Sequence, residues 1–158
     1  MIQSFRFLLL PVILLVSSCH SQLIPNTDVE DIGPNRGVIE FCEKYRKAVE
    51  AQDIVRLMNL AAPDYYEDGG NVDSADDLDR AGLEDYLYNK FVNAKAIRYE
   101  IRYRRVGKGR RDSLYVDYTY SASYKLPSNQ GELWKRVVAD NRIQLVPKGE
   151  SYLILSGM

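Results

Sequence analysis

The chain has 158 residues, 46% of them hydrophobic, with 21 lysines and arginines set against 22 aspartates and glutamates. That size suits a single hydrophobic core, and the near balance of charge argues against a dedicated nucleic-acid surface. One histidine, His20, lies close to the N-terminus, so a histidine-based triad inside the domain is excluded.

The N-terminus opens with one cation, Arg6, ahead of the apolar run Phe7-Leu8-Leu9-Leu10-Pro11-Val12-Ile13-Leu14-Leu15-Val16. A permanent spanning helix needs about 20 apolar residues, and Pro11 would interrupt this shorter run. A charged start, a short apolar core and small residues at the end are the pattern of a cleavable secretory signal. The end, Val16-Ser17-Ser18-Cys19, resembles the bacterial lipobox. That resemblance implies a signal peptide over residues 1–18, cleavage before Cys19, and diacylglycerol and an N-acyl chain on that cysteine. Several acyl chains, at about 0.8 kcal/mol per buried methylene, make a stable membrane anchor. His20 stands where an aspartate would favour inner-membrane retention, so the resemblance implies an envelope protein facing the periplasm, with the outer membrane favoured. With Cys19 lipidated, Cys42 has no intramolecular partner, and its place on an apolar helix face reads as a small buried hydrophobe.

Residues 19–35 are polar, broken by proline and glycine, and lack periodicity; they are expected to be a flexible tether, with the domain occupying 36–158. From Val38 to Gln52 the apolar residues Val38, Phe41-Cys42, Tyr45 and Ala48-Val49 recur at helical spacing. Asp53 is placed to cap a short second helix carrying Ile54, Leu57-Met58 and Ala61, ending before Pro63. An acidic loop then runs over residues 64–79, and a third helix follows with Leu83, Tyr86-Leu87, Phe91 and Ala94 on one face.

At Ala96 the period changes to two. Ile97, Tyr99, Ile101 and Tyr103 alternate with Arg98, Glu100, Arg102 and Arg104, and Gly107-Lys108-Gly109-Arg110 is expected to turn the chain. Val116, Tyr118, Tyr120, Ala122 and Tyr124 then share one side of a long strand. A loop at Pro127–Gly131 leads to a strand over roughly 133–146, and a last strand covers Tyr152 to Ser156. A tight first hairpin would set Tyr103 opposite Leu114, Ile101 opposite Val116 and Tyr99 opposite Tyr118. The second would set Val137 opposite Ala122 and Asn141 opposite Tyr118. This register places Arg98, Glu100 and Arg102 near Asp117, and Asp117 opposite Arg142, on an outer charged face. Helices followed by hairpin-linked strands make an α+β domain with an antiparallel sheet.

The order of elements, with the segment Asp64-Tyr65-Tyr66-Glu67-Asp68-Gly69 between the second and third helices, resembles the nuclear transport factor 2-like superfamily, which includes SnoaL-like cyclases, ketosteroid isomerases and scytalone dehydratases. The resemblance implies a cone: three helices packed on the concave face of a curved sheet, with a pocket at the open end. Fold alone does not assign a function in so varied a group.

Chemistry is sparse. Asp140 is the remaining acid or base candidate, but the register turns it outward, where it reads as half of a surface ion pair with Arg142. The acidic loop (Asp64, Glu67, Asp68, Asp73, Asp76, Asp77, Asp79) lacks the spacing of a calcium loop and reads as solvated charge and helix caps, so no metal is assigned. Gly107-Lys108-Gly109 precedes no helix and is not a phosphate loop, and no cofactor is implied. Twelve tyrosines against four phenylalanines mark aromatic positions that keep one polar end. Tyr99, Tyr118, Tyr120 and Asn141 fall on the inner face and form the expected ligand pocket, with Asn141 a buried amide among Val137, Ala139, Ile143 and Leu145. The expectation is a lipid-anchored, non-enzymatic module binding a small apolar or aromatic ligand or a protein partner. A periplasmic lyase or isomerase using carboxylate and tyrosine chemistry is the alternative.

Overall fold

Alternation of apolar and polar residues over the second half of the chain produces two long antiparallel hairpins that share one sheet. In the computed structural model, residues 22–69, 77–129 and 131–158 are described. The signal segment and Cys19 therefore lie outside the described residues, as do Asp73 and Asp76 of the acidic loop. The helices are α1 (Gly33–Glu50), α2 (Ile54–Leu60) and α3 (Arg80–Phe91). The strands are β1 (Tyr66–Glu67), β2 (Leu78–Asp79), β3 (Ala96–Lys108), β4 (Leu114–Ser128), β5 (Gly131–Lys148) and β6 (Ser151–Ser156). β1 and β2 form a small ladder of their own, and the main sheet runs β3-β4-β5-β6, every pair antiparallel. No described helix is long and apolar enough to cross a membrane.

Each helix begins where local chemistry lets it. α1 starts five residues before the apolar pattern, because Pro34 suits a first turn whose amides have no helical partner. Val38, Phe41, Cys42, Tyr45, Ala48 and Val49 face the sheet, all buried. Asp53 caps α2 by accepting from the Arg56 amide at 2.9 Å, and Asp79 caps α3 by accepting from Gly82 at 2.8 Å. The parallel bridge of Ala61 to Ile154 and the Ala62 amide donating to the Ile154 carbonyl at 2.8 Å tie the end of α2 to β6.

The second hairpin has the expected register, with Ala122 opposite Val137, Tyr118 opposite Asn141 and Asp117 opposite Arg142. The first does not. Tyr103 pairs with Tyr118, Ile101 with Tyr120 and Tyr99 with Ala122, four residues further along β4 than the expected partners. The turn is not at 107–110 but at Arg110–Ser113, with Arg111 and Asp112 in left-handed conformation (φ 52° and 61°). The Ser113 amide and hydroxyl both donate to the Arg110 carbonyl, at 3.1 and 2.7 Å. Gly107 belongs to the strand: a Cβ there would lie 2.3 Å from the ring of Tyr115, so glycine makes room for a tyrosine rather than for a bend. An even shift keeps the same side chains inward, which is why the faces are as expected although the partners are not. A bulge between Tyr103 and Arg105 then sets Arg105 opposite Asp117. Asp117 thus pairs with Arg142 at 2.6 Å and Arg105 at 2.8 Å, and not with Arg98, Glu100 or Arg102.

The N-terminal segment also departs from expectation. Residues 22–32 are not a free tether but an arm folded on itself by a Leu23–Glu30 bridge and laid along β3. The Asp28 amide donates to the Tyr103 carbonyl at 2.9 Å, and its carboxylate takes Arg102 at 2.6 Å and Arg104 at 2.9 Å. Val29 is buried in the core. Val29, with Ile24 packed partly against the core, is too little to register as periodicity, yet it helps to pin an arm whose charge is matched by the strand beneath it.

Candidate functional site

Where α1 and α3 stand over the concave sheet face, their tyrosines meet those of β3 and β4. They enclose a cavity of about 140 Å³ lined by Tyr45, Val49, Tyr86, Leu87, Phe91, Tyr99, Tyr120, Tyr124, Asn141 and Met158. The rings form a continuous series. Tyr45 meets Tyr99 edge-on at 6.3 Å, Tyr99 lies 5.5 Å from Tyr120, and Tyr120 lies 6.3 Å from Tyr118. Such ring pairs favour offset or edge contacts and hold the wall in one arrangement.

The polar ends of these rings converge. The hydroxyls of Tyr45, Tyr99 and Tyr118 lie near one another, and that of Tyr118 donates to the Gly157 carbonyl at 3.4 Å. The Asn141 side-chain amide donates to the Tyr118 hydroxyl at 3.0 Å and to the Gly157 carbonyl at 3.3 Å. Its oxygen accepts from the Arg142 amide at 2.8 Å. Burial pushes the Tyr99 hydroxyl up to about 12 and those of Tyr45 and Tyr118 well above their ordinary value. All three are therefore neutral near pH 7, able to donate and accept but not to act as phenolate bases. Among the described residues no aspartate or glutamate lines the cavity.

The structure brings together the four residues expected at the pocket, with two changes. Tyr118 is buried behind the wall rather than lining it. Asn141 is exposed, not a buried amide, because the helices stop short of it and leave it at the cavity mouth. Tyr45, Val49, Tyr86, Leu87, Phe91, Tyr124 and Met158 complete the lining, and all but Met158 lay on apolar faces already visible in the periodicity. Gly157 and Met158 carried no such signal. Asp140 sits on the outer face, accepting from the Thr119 hydroxyl at 2.6 Å, and Arg104 donates to that same hydroxyl at 3.1 Å. Its expected ion pair with Arg142 does not form; Arg142 turns to Asp117.

Elsewhere the polar groups serve the fold. Asp77 accepts from the Tyr66 hydroxyl, Asp79 caps α3, and Glu67 accepts from the Gly157 amide. Among the described residues no three His, Cys, Asp or Glu side chains converge as metal ligands. Cys42 is buried, and burial pushes its thiol up to about 12, so it is no nucleophile at neutral pH. A trough of about 720 Å³ on the outer face carries the cations Lys108, Arg110, Arg111 and Arg142 among neutral residues and Asp64.

No protein-family model and no curated protein matches the sequence. Solved structures match its shape. One is provisionally named a calcium/calmodulin-dependent protein kinase II association domain, from Xanthomonas campestris; it is 18% identical, with TM-score 0.63, over 87% of this chain and 90% of its own. Another, provisionally named a scytalone dehydratase, from Novosphingobium aromaticivorans, is 8% identical, with TM-score 0.62, over 78% and 80%. ActVI-ORFA from Streptomyces coelicolor is 13% identical, with TM-score 0.60, over 80% and 95%. The fold is thus the nuclear transport factor 2-like cone. At these identities the likeness extends to fold alone.

Proposed function

We propose that the chain is a lipid-anchored protein of the bacterial cell envelope whose cone binds a small aromatic or apolar molecule without transforming it. The observation that carries the binding reading is the tyrosine-walled cavity of about 140 Å³. An apolar cavity of ~150 Å³ accommodates benzene, so the occupant is one ring or a short chain, its polar end meeting Asn141 or a tyrosine hydroxyl. Neutral tyrosines recognise such a ligand, whereas an acid–base reaction asks for groups whose protonation states are set apart near the working pH. The anchor rests on Val16-Ser17-Ser18-Cys19 and the short apolar run before it. It would hold the domain at a membrane facing the periplasm, the outer membrane favoured by His20.

A thermal-shift screen of single-ring phenols and short-chain alcohols tests the cavity. Some compound raises the melting temperature of the wild type and fails on Asn141→Leu. Hits that stabilise both proteins equally would place the site elsewhere. Palmitate labelling tests the anchor: Cys19→Ser loses the label, and equal labelling would end the lipoprotein reading. The dehydratase name of one fold neighbour favours a second reading, a lyase or isomerase; conversion of a bound compound to product would establish it.

A further inference from the structure

β6 pairs with β5 only over Gln144–Lys148. Among the described residues nothing pairs with the outer edge of β5 before that, which leaves unmatched backbone donors and acceptors along a long, extended strand. The same stretch carries exposed apolar side chains on both faces: Leu133 at 46%, Trp134 at 45%, Val137 at 37% and Val138 at 58% exposure. A free edge flanked by apolar groups is a template for another strand.

We propose that this edge pairs with the same edge of a second copy of the chain, antiparallel about a two-fold axis through Val138, joining two sheets into one. The register follows from charge. Pairing must match like faces, so the axis passes through a residue. Centred on Arg136, it would set that cation against its own copy. Centred on Val137, it would set Arg136 against Val138 and Trp134 against Asp140; centred on Ala139, it would oppose Arg136 and Arg142. Centred on Val138, it opposes Arg136 to the partner's Asp140 and Val137 to the partner's Ala139, each twice. Among the described residues neither Arg136 nor Asp140 belongs to an ion pair within one copy; each bonds only a hydroxyl, of Ser121 and Thr119. The same register brings the partner's Lys135 opposite Asn141, at the mouth of the tyrosine cavity. This goes beyond the binding reading, because a side chain of the second copy then stands at the mouth.

The full chain, purified in detergent and weighed by sedimentation equilibrium, tests this independently of any ligand. Arg136→Asp alone and Asp140→Arg alone each weaken self-association about tenfold or more, because every cross-strand pair becomes repulsive. Mixed together, the two variants associate with each other, since every pair is then of opposite sign. At the axis the Cα atoms of an antiparallel pair stand about 4.5–5.5 Å apart, within disulfide reach. Val138→Cys under mild oxidation therefore gives a covalent dimer, while Val55→Cys on α2, at 73% exposure, does not. A monomeric wild type, failure of the mixed variants to associate, or no more cross-linking at 138 than at 55 overturns the proposal.

Discussion

The two ends of β5 are built from the same alternation and end in opposite surroundings. Toward its C-terminal end Ile143 and Leu145 are sealed beneath the helices, with β6 alongside; toward its start Leu133 and Val137 hold equivalent inward positions and stay exposed. Side-chain pattern decides which face points inward; cover decides whether that face is buried. α1, α2 and β6 span only part of the sheet, and the tyrosine cavity lies where that cover runs out.

Stability measurements break or sharpen this contrast. Ile143→Ala removes a side chain at 1% exposure and is expected to cost about 2–5 kcal/mol in a denaturant melt. Val137→Ala, on the same strand and face, is expected to cost under about 1 kcal/mol. Equal losses would mean that the inner face of this half of β5, which edge pairing leaves open, is covered in solution. Gly107→Val comes next: the Tyr115 ring occupies the space a Cβ would need, so a cost of about 1–3 kcal/mol is expected, and Tyr115→Ala in the same chain should relieve most of it.

Most of the fold was legible in the sequence because helix and strand periodicities are long and well separated by Asp53, Asp79 and Ala96. The second hairpin could be placed in register because Pro127 to Gly131 offers one short turn. The first could not, because Gly107 and Gly109 mimic a turn, while Arg111 and Asp112, neither of them glycine, take the left-handed conformations that make it. Arm docking rests on Val29, Ile24 and Asp28, below what periodicity detects. The tyrosine set was legible from alternation, but the exposure of Asn141 depends on where α1 and α3 end over the sheet, a tertiary fact.

The smallest expected effect concerns the arm. Hydrogen bonds from Arg102 and then Arg104 lower the Asp28 carboxyl from 3.8 to about 2. A carboxyl more acidic when docked stabilises docking fully above its ordinary value, and that contribution is lost as pH falls from about 4 through 2. Amide exchange at Asp28, which donates to Tyr103, should quicken over that window relative to the amides of β4. Asp28→Asn should remove the dependence, and protection that does not change from about pH 5 to below about pH 2 would show that apolar and backbone contacts, not the carboxylate, hold the arm.

The central claim is that the tyrosine cavity is a binding site, and occupancy of that cavity is its most direct measure. Val49 lines it from α1, and Val49→Phe fills it with carbon while leaving Asn141 and the tyrosine hydroxyls in place. Titration of the best phenol from the screen, followed by the chemical shifts of Tyr99 and Tyr120, should show saturable perturbation in the wild type. The filled variant should give none while melting cooperatively. Undiminished binding to folded Val49→Phe would contradict the account.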